Sequence, residues 1–496
     1  MTRRSAVHEL QTLVLSFHSL IAVETVEEER VRSITSEVAR NLTLPMYDWS
    51  ITSGLTRSFG IGIEGTTDPL TLLRKVGDIH DSDAIYLLKD FAPHLNNPNI
   101  CRSLREIVMR LTASHSAFVI TGEPVELPRD LEALAVRLDL ELPDPAEIRE
   151  MVRSVVESMS ARQRVRVDLS KDDAQRLVRS LSGLTLSQVR QAIARAIVSD
   201  GELTGADIDE LVEWKGEIIE RGGVLEFYPA EGNKFELGGF ARLKEWLDNA
   251  SIGFTPEARA MNLTPPKGVL FVGVQGCGKS LAAKFIARQW HMPLLKLDAG
   301  RLYDKYVGES EKNFRKATAL AEAMAPVVLW IDEIEKAFAQ GGTNDADGGL
   351  SQRLFASFLT WLQEKRQEVF VVGAANDLDR LPPELLRKGR FDEIFFVDLP
   401  TADERKSIFS IHLQLRKQDP DNFDLGKLVA ATEGFSGAEI EQVVITALYR
   451  CLHQKQQPTT QALLDSVRLT VPLSVSRRED IEALRESAKG RFAPVS

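Results

Sequence analysis

The stretch that decides the fold reads Gly273-Val274-Gln275-Gly276-Cys277-Gly278-Lys279-Ser280. It fits G-x-x-x-x-G-K-[ST], the pattern of a phosphate-binding loop. The apolar, β-branched run 268–272 precedes it, as expected of a buried parallel strand, and residues 281–287 follow with a helical pattern. Strand, glycine-rich loop and helix are the context that the motif requires. The alternative is a chance glycine turn, and motifs further along the chain argue against it.

A loop of this kind binds the phosphates of ATP together with Mg²⁺. The glycines let successive backbone N–H groups curl around phosphate oxygens, and the N-terminus of the following helix adds its positive dipole end. In such a loop Lys279 reaches the β- and γ-phosphates, and the Ser280 hydroxyl ligates Mg²⁺. We therefore predict that the eight loop residues and Leu281 after them contact the nucleotide.

Length, charge and cysteine content limit the class of protein. The 496 residues suffice for roughly two to four domains with sizeable cores. A net charge of −11 argues against a constitutive nucleic-acid binder or a protein that binds anionic membranes. Cys101, Cys277 and Cys451 are too few and too scattered for a disulfide framework or a zinc site, which favours a reducing compartment.

No membrane span or cleaved leader is expected. No run approaches the ~18 apolar residues of a membrane span. The basic and apolar residues 3–15 superficially resemble a signal peptide, but His18 and Ser19 interrupt the pattern. Residues 8–23 are predicted to form a helix and then a buried strand. We therefore expect a cytoplasmic protein, or one of the plastid stroma if it is organellar.

Cys277 lies inside the phosphate loop and has two interpretations. Its oxidation could block nucleotide binding. Alternatively, it is simply a small residue that the loop tolerates.

An internal repeat of about 250 residues relates the two halves of the chain. Residues 34–45 align with 282–293, residues 84–90 with 327–332, and residues 117–122 with 369–373. Residues 141–143 and 181–187 align in the same way with 398–400 and 432–438. The first half is therefore predicted to be a copy of the same α/β domain with a helical lid.

The first copy lacks the residues that the second uses for phosphate binding. In place of the loop it reads Val23-Glu24-Thr25-Val26-Glu27-Glu28-Glu29, without glycine or lysine and with carboxylates that would repel a triphosphate. A Gly-Arg-Phe-Asp segment is also missing. We interpret it as a degenerate nucleotide-binding domain used for docking, regulation or oligomer stability. An unrelated α/β domain and a scaffold without any ligand remain open alternatives.

Two further strands of the second half end in polar residues. The apolar run 327–331 leads into Asp332 and Glu333, and the run 369–375 leads into Asn376. Asp332 would hold Mg²⁺ through water, and Glu333 would orient and deprotonate the attacking water, a contribution of roughly 10²–10⁴-fold. Asn376 can hydrogen-bond that water or the γ-phosphate. The alternatives are a chance acidic strand end and an asparagine that merely caps its strand.

The next motif is Leu385-Leu386-Arg387-Lys388-Gly389-Arg390-Phe391-Asp392, which resembles the second region of homology of AAA ATPases. The resemblance implies that Arg387 and Arg390 are arginine fingers that project into a neighbouring subunit's site. Such a guanidinium stabilises transition-state charge by about 10³–10⁵ in rate. An arginine supplied by a neighbour implies a homo-oligomeric ring, expected to be a hexamer. Otherwise the two arginines belong to a solvated loop or an internal salt bridge.

Other segments extend this resemblance. The segment 434–440 resembles the AAA lid segment near adenine, with Gly437 and Ala438 as nucleotide contacts. Gly238, which precedes the first helix of the module, is also predicted to contact the nucleotide. Tyr306-Val307-Gly308 stands at the place of the family's first pore loop and could grip a polypeptide; alternatively, Tyr306 packs at a subunit contact. The glycine-rich acidic segment 341–349 stands at the place of the second pore loop.

Long strings within residues 329–336, 358–365 and 385–400 narrow the resemblance to the poorly characterised AAA proteins encoded in algal plastid genomes and in cyanobacteria and other bacteria. The predicted fold is an α/β P-loop NTPase, with a three-layer α/β/α parallel sheet and a small helical lid, preceded by a degenerate copy of the same fold. The predicted domains are residues 1–220 (degenerate copy), 221–400 (large nucleotide-binding subdomain) and 401–496 (helical lid and C-terminal helix).

The expected function is hydrolysis of Mg-ATP coupled to remodelling or translocation of an unknown protein client. The alternative is a nucleotide-gated regulatory or scaffold protein that threads nothing. DNA work is a weaker option, because the chain is acidic.

Overall fold

The computed structural model describes residues 3–57, 62–78, 83–161, 164–230, 237–302, 309–338, 350–387 and 389–496. They divide into two compact units, Met1–Leu211 and Val212–Ser496. This division falls within the helix Asp207–Arg221, and the boundary expected from the sequence, after residue 220, lies near the end of the same helix. Each unit is built on its own β-sheet.

The first unit contains eight described strands and the helices up to the boundary. The helices are α1 Arg3–Leu15, α2 Glu28–Leu42, α3 Pro69–Asp78, α4 Pro98–Leu111, α5 Arg129–Glu132, α6 Pro145–Ser160, α7 Lys171–Leu181, α8 Leu186–Asp200 and α9 Asp207–Arg221. The strands are β1 Leu20–Glu24, β2 Met46–Ser50, β3 Gly54–Arg57, β4 Ile85–Lys89, β5 Ala117–Gly122, β6 Val136–Arg137, β7 Arg166–Asp168 and β8 Glu202–Thr204. Six strands form a sheet in the order β3-β2-β4-β5-β1-β6, parallel except for β3.

The second unit carries a larger sheet and more helices. Its described helices are α10 Ala241–Ser251, α11 Pro256–Ala260, α12 Lys279–Gln289, α13 Ala299–Leu302, α14 Glu309–Ala323, α15 Ile334–Ala337, α16 Leu350–Glu364, α17 Ala402–Leu415, α18 Leu425–Ala431, α19 Gly437–His453, α20 Thr460–Arg468, α21 Leu473–Ser476 and α22 Arg478–Ala488. Its described strands are β9 Leu225–Tyr228, β10 Gly268–Gly273, β11 Leu294–Leu297, β12 Val327–Ile331, β13 Val369–Ala375, β14 Glu393–Val397 and β15 Ala493–Pro494. The sheet order is β15-β14-β10-β13-β12-β11-β9, with only β9 antiparallel to its neighbour.

The central strands are buried because helices cover both faces of the sheet. Every residue of β10, β12 and β13 is buried, as their continuous apolar runs require. One hydrophobic cluster fills each face of this sheet, and a separate cluster joins α17, α18, α19 and α20 into a helical lid. The predicted three-layer α/β/α architecture with a small lid is confirmed.

The two units repeat one topology. The order β6-β1-β5-β4-β2 of the first sheet equals β14-β10-β13-β12-β11 of the second. Capping boxes start the matching lid helices: Asp144 with Glu147 at α6 and Thr401 with Glu404 at α17. Since side chains at these caps satisfy the free N–H groups of a helix, the same local signal begins the lid in each unit. The degenerate copy predicted from the sequence repeat is therefore confirmed as a fold.

Candidate functional site

The phosphate loop connects β10 to α12, with Gly278 at the N-terminal cap of the helix. Gly273 has φ +152°, and a Cβ at this position would lie 2.0 Å from the carbonyl oxygen of Val397. Gly276 and Gly278 have φ +77° and +95°, a left-handed conformation that glycine adopts without strain. The three glycines of the motif are thus required by the path of the backbone.

The Lys279 side chain folds back and contacts the first residues of the loop. Its Nζ donates hydrogen bonds of 2.8 Å to the carbonyl oxygens of Gly273 and Val274. The side chain is buried, and this burial lowers the pKa of Lys279 to about 8. Both of these acceptors are uncharged, so a phosphate that bound here would interact favourably with the buried ammonium and compensate for its lost solvation.

Cys277 is 7% exposed, and burial raises the pKa of its thiol to about 12. The reactive thiolate is therefore scarce near neutral pH. Of the two interpretations from the sequence, the small tolerated residue fits this environment better.

Two carboxylates follow β12 at the same edge of the sheet. The Ser280 hydroxyl donates to Oδ2 of Asp332 across 3.4 Å, and burial raises the pKa of Asp332. Glu333 has φ +48°, and its Oε1 accepts a 2.7 Å hydrogen bond from the ammonium of Lys336. Proteins usually bind Mg²⁺ through one or two side-chain oxygens, and substrate phosphates and water complete its coordination shell. The Ser280 hydroxyl and the partly buried Asp332 carboxylate supply oxygens of this kind. The residues present therefore fit this cation together with a nucleotide.

These residues line a cavity of about 740 Å³, within the size range of small-molecule sites. The predicted residues that line it share the loop, the strand ends or the lid: Gly238, Gln275, Gly276, Cys277, Gly278, Lys279, Ser280, Leu281, Asp332, Glu333, Asn376, Gly437 and Ala438. Gly273 and Val274 do not line the cavity and instead hold Lys279 through their carbonyls.

The lid reaches the loop through the start of α19. The N–H of Ala438 donates to the carbonyl of Gly276 across 3.0 Å. A Cβ on Gly276 would lie 3.2 Å from the Cβ of Ala438, so the two backbones pack closely. The loop and the lid thus form adjoining walls of one cavity.

Glu335 lies beside the predicted residues, although no sequence pattern indicated a role for it. It is 3% exposed, and its Oε1 accepts a 3.0 Å hydrogen bond from the backbone N–H of Asn376. Within the described residues its Oε2 has no hydrogen-bond partner, and burial raises its pKa. Its location on a one-turn helix after Asp332 gave no periodic signal by which to identify it.

A second missed group lies on one face of α17 and lines the same cavity: Glu404, Ile408, Ile411, His412 and Leu415. The other four lie three, four or seven residues from Ile408, which places them on one side of the helix, a signal that the sequence did contain. Burial lowers the pKa of His412, against the effect of the nearby Glu441 carboxylate. This apolar face with a neutral imidazole suits a flat aromatic base better than a phosphate.

Other predicted residues lie elsewhere. Arg387 is exposed, and Arg390 donates from its guanidinium to the carbonyl of Leu359 across 3.2 Å. Neither of these two described residues lines the cavity of its own chain. Tyr306, Val307, Gly308 and the segment 341–349 lie outside the described residues.

The first unit has a cavity of about 770 Å³ at the end of its own central strand β1. Its walls include Glu27, Arg30, Glu147 and Leu186. Arg30 forms hydrogen bonds of 3.0 and 2.8 Å with the two carboxylate oxygens of Glu147, and Glu27 Oε1 accepts a 2.7 Å bond from the N–H of Leu186. The counterpart of the phosphate loop is therefore occupied by ion pairs of the chain itself.

No helix in the described part of the chain combines the length and apolar character needed to cross a bilayer.

Comparison with known protein families gives four matches along the chain. Residues 269–399 match the model of the ATPase family associated with various cellular activities (AAA), and residues 422–466 match the AAA+ lid domain. Residues 6–140 and 146–222 match the N-terminal and second domains of SpoVK-like AAA ATPases.

Relatives match either nearly the whole chain or about half of it. The uncharacterized AAA domain-containing protein ycf46 of Guillardia theta is 35% identical over 98% of this chain and 95% of its own. The protein of the same name from Trieres chinensis is 36% identical over 94% and 93%. ATPase family gene 2 protein homolog A of Homo sapiens is 33% identical over 49% of this chain and 28% of its own. The predicted resemblance is confirmed.

Proposed function

This chain belongs to the AAA ATPase family, and from that premise we propose that it binds and hydrolyses Mg-ATP in the second unit. The observation that carries the proposal is the convergence of Lys279, Ser280, Asp332, Glu333 and Asn376 on one cavity. An ammonium for phosphates, an oxygen pair for the cation and a carboxylate for water are the groups that phosphoryl transfer to water requires.

Each group has a distinct proposed role. Lys279 and the loop N–H groups would bind the phosphates. Ser280, and Asp332 through water, would hold Mg²⁺, which would neutralise charge on the phosphate oxygens. Glu333 leaves Lys336 and takes the proton of the attacking water, and Asn376 orients that water. Glu335 fixes the backbone at Asn376 through its 3.0 Å hydrogen bond.

We further propose that the protein assembles into a homo-oligomeric ring, expected to be a hexamer. Support comes from Arg387 and Arg390, which occupy the arginine-finger positions of the family motif. Neither of them lines the cavity of its own chain. The ring would remodel or translocate a protein client with Tyr306. The alternative is a nucleotide-gated scaffold, and Tyr306→Ala separates the two, because only a motor loses client processing while it keeps hydrolysis. The proposed location is the cytoplasm, or the stroma for a plastid-encoded chain.

Phosphate release by the wild type and by Glu333→Gln tests the proposal. We expect hydrolysis to fall roughly 10²–10⁴-fold with ATP binding retained, because only the general base is lost. Glu364→Gln, at an exposed position of α16, is the matched control and should keep full activity. Lys279→Ala should weaken ATP binding by about tenfold to a hundredfold, as expected from the loss of charged hydrogen bonds. A wild type that binds ATP but releases no phosphate would contradict the proposed hydrolysis.

A further inference from the structure

Residues 493–496 lie far along the chain from every motif described above, yet three of them line the nucleotide cavity. Ala493 and Pro494 form β15, which pairs in parallel with β14 at Phe395 and Phe396. The segment therefore extends the central sheet by one strand and brings Pro494, Val495 and Ser496 to the cavity wall.

Val495 anchors the segment to the core. Its N–H donates to the carbonyl of Phe396 across 3.3 Å, and its carbonyl accepts from the N–H groups of Arg242 and Leu243 at 3.1 and 3.3 Å. These two N–H groups belong to the first turn of α10, which has no side-chain cap. The Val495 side chain is 6% exposed and packs in the same hydrophobic cluster as Leu237 and Phe240. Residues 493–496 thus hold the start of α10 to the edge of the sheet.

Ser496 connects the segment to the lid. Its hydroxyl donates to Oε1 of Glu404 in the first turn of α17. Glu404 Oε2 accepts a 2.8 Å hydrogen bond from the N–H of Thr401, so the same carboxylate also caps the helix. Although burial raises the pKa of Glu404, the hydrogen bonds from Ser496 and Thr401 outweigh it and hold that pKa below its usual value.

Glu404 also touches the segment that precedes α10. A Cβ on Gly239 would lie 2.2 Å from Glu404 Oε1, so only glycine allows this approach. Glu404 therefore joins the Gly238–Gly239 turn, the lid helix and Ser496 at one point.

This point lies at the end of the cavity that suits a base. The phosphate end is defined by Lys279, Ser280 and Asp332. Glu404 instead begins the cavity-facing stripe of α17, and Ile408 and His412 follow it one and two turns later. Apolar side chains on this stripe match the face of a flat, uncharged ring.

We propose that residues 493–496 form a wall of the base-binding end of the nucleotide cavity and fix the first turn of α17 against it, so that nucleotide affinity depends on this segment. The proposal rests on the proposed function, since it concerns the same cavity. Ser496 acts here as a positioning residue through Glu404, and Val495 holds the wall in place.

The test compares a nucleotide with a ligand that has phosphates only. The dissociation constants of fluorescent N-methylanthraniloyl-ADP and, by competition, of tripolyphosphate are measured for the wild type and for a chain that lacks residues 493–496. We expect ADP binding to weaken about tenfold or more, the equivalent of one or two lost hydrogen bonds and their packing. Tripolyphosphate binding should change less than twofold, because the loop and Lys279 are untouched.

Single substitutions guard against a deletion that disturbs the fold. Ser496→Ala should weaken ADP binding about two- to tenfold, the range for one hydrogen bond. Ser496→Thr keeps the hydroxyl and should restore it. Ser476→Ala, whose hydroxyl is exposed and interacts with the carbonyls of Pro472 and Leu473, is the control and should bind as the wild type does. Hydrogen exchange of α17 should rise in Ser496→Ala and not in the control.

The outcomes separate the two proposals. Unchanged ADP affinity in the deletion, or an equal loss for ADP and tripolyphosphate, would overturn the role of this segment while leaving the ATPase proposal intact. A wild type that binds neither ligand would overturn the proposed function itself.

Discussion

The two units place different side chains at the end of the same central strand. After β10 the chain forms a glycine loop, and Lys279 is buried there, donating to the backbone carbonyls of Gly273 and Val274. After β1 the chain enters α2 almost at once, and Arg30 is buried against Glu27 and Glu147. When the alignment of residues 34–45 with 282–293 is extended towards the N-terminus, Val31 aligns with Lys279, so the first unit has no lysine at this position. One unit leaves its cation ready for an anionic ligand, and the other supplies the anion itself.

The lid contacts differ in the same sense. In the second unit, the Ala438 N–H at the start of α19 donates to the backbone carbonyl of Gly276. In the first unit, the N–H of Leu186 at the start of α8 donates to the Glu27 carboxylate, which also pairs with Arg30. Because a carboxylate at a helix N-terminus interacts favourably with the helix dipole, Glu27 occupies a position that suits a phosphate. The first unit thus keeps the fold while charges of the protein itself fill the position that corresponds to the proposed phosphate site.

The corresponding strands β4 and β12 are followed by a similar backbone turn but by different charged side chains. Asp90, directly after β4, has φ +50°, and Glu333, two residues after β12, has φ +48°. Lys89 precedes Asp90 and pairs with Glu28 and Glu29 at the start of α2. If Asp90 and Glu333 correspond, Lys89 is the counterpart of Asp332. An ammonium at this position would repel a cation such as the Mg²⁺ that Asp332 is proposed to hold.

The largest expected effect concerns the arginines that only the second unit carries. Arg387→Ala and Arg390→Ala should lower hydrolysis by about 10³–10⁵-fold with ATP binding retained, because transition-state charge loses its guanidinium. Arg380→Ala, an exposed arginine paired with Asp377, is the control and should leave the rate unchanged. The measurement is phosphate release under saturating ATP.

Mixing experiments show whether the arginine comes from a neighbour. An equimolar mixture of Glu333→Gln and Arg390→Ala chains should recover hydrolysis that neither chain has alone, because some sites then combine an intact Glu333 with an intact neighbouring Arg390. A mixture as inactive as its components would argue that each site is complete within one chain.

The next effect concerns the internal ion pair of the first unit. Arg30→Met leaves buried carboxylates without a partner, a change that destabilises by about 3–5 kcal/mol. Hydrogen exchange should accelerate in β1 and α2 while β10 and α12 keep wild-type protection and ATP affinity stays unchanged. Arg102→Met, which breaks an exposed pair with Glu106, should have little effect. Weaker ATP binding in Arg30→Met would contradict the separation of the two sites.

The last prediction is a change in stability with pH, and it concerns a buried lysine of the second unit that contrasts with Arg30. Lys215 is 2% exposed, lies 5.4 Å from the centroid of the Phe227 ring, and has its pKa lowered by burial from 10.5 to about 7. Between these two values the unfolded chain binds a proton that the folded chain does not, so stability rises with pH by up to about 1.4 kcal/mol per unit.

Lys215→Met should remove this slope. The variant should unfold at a higher temperature than the wild type near pH 7, and the difference should shrink as the pH rises towards 10. Lys406→Met, at an exposed position, is the control and should follow the wild-type curve. A difference that is constant across this range would show that charge burial is not its cause.

Much of the fold and of the phosphate end of the site could be predicted from local sequence. Glycines at 273, 276 and 278 are needed by a backbone path that other residues cannot follow, so the motif carries its own geometry. The strands were recognisable because parallel strands buried on both faces must be apolar throughout. The repeat was visible because the first unit has corresponding apolar runs although its loop has a different sequence.

The base end of the site depends on contacts between distant parts of the chain. Glu335 was missed because its importance lies in one backbone hydrogen bond to Asn376, which no local pattern encodes. Ser496 and Glu404 are separated by most of the lid and meet only because β15 joins the edge of the sheet. The α/β fold, its duplication and the residues proposed to bind phosphates could be predicted from local sequence, since they follow from backbone sterics and apolar periodicity. The side chains at the proposed base end and the charges that fill the first unit's cavity could not, because they depend on contacts between residues that only folding brings together.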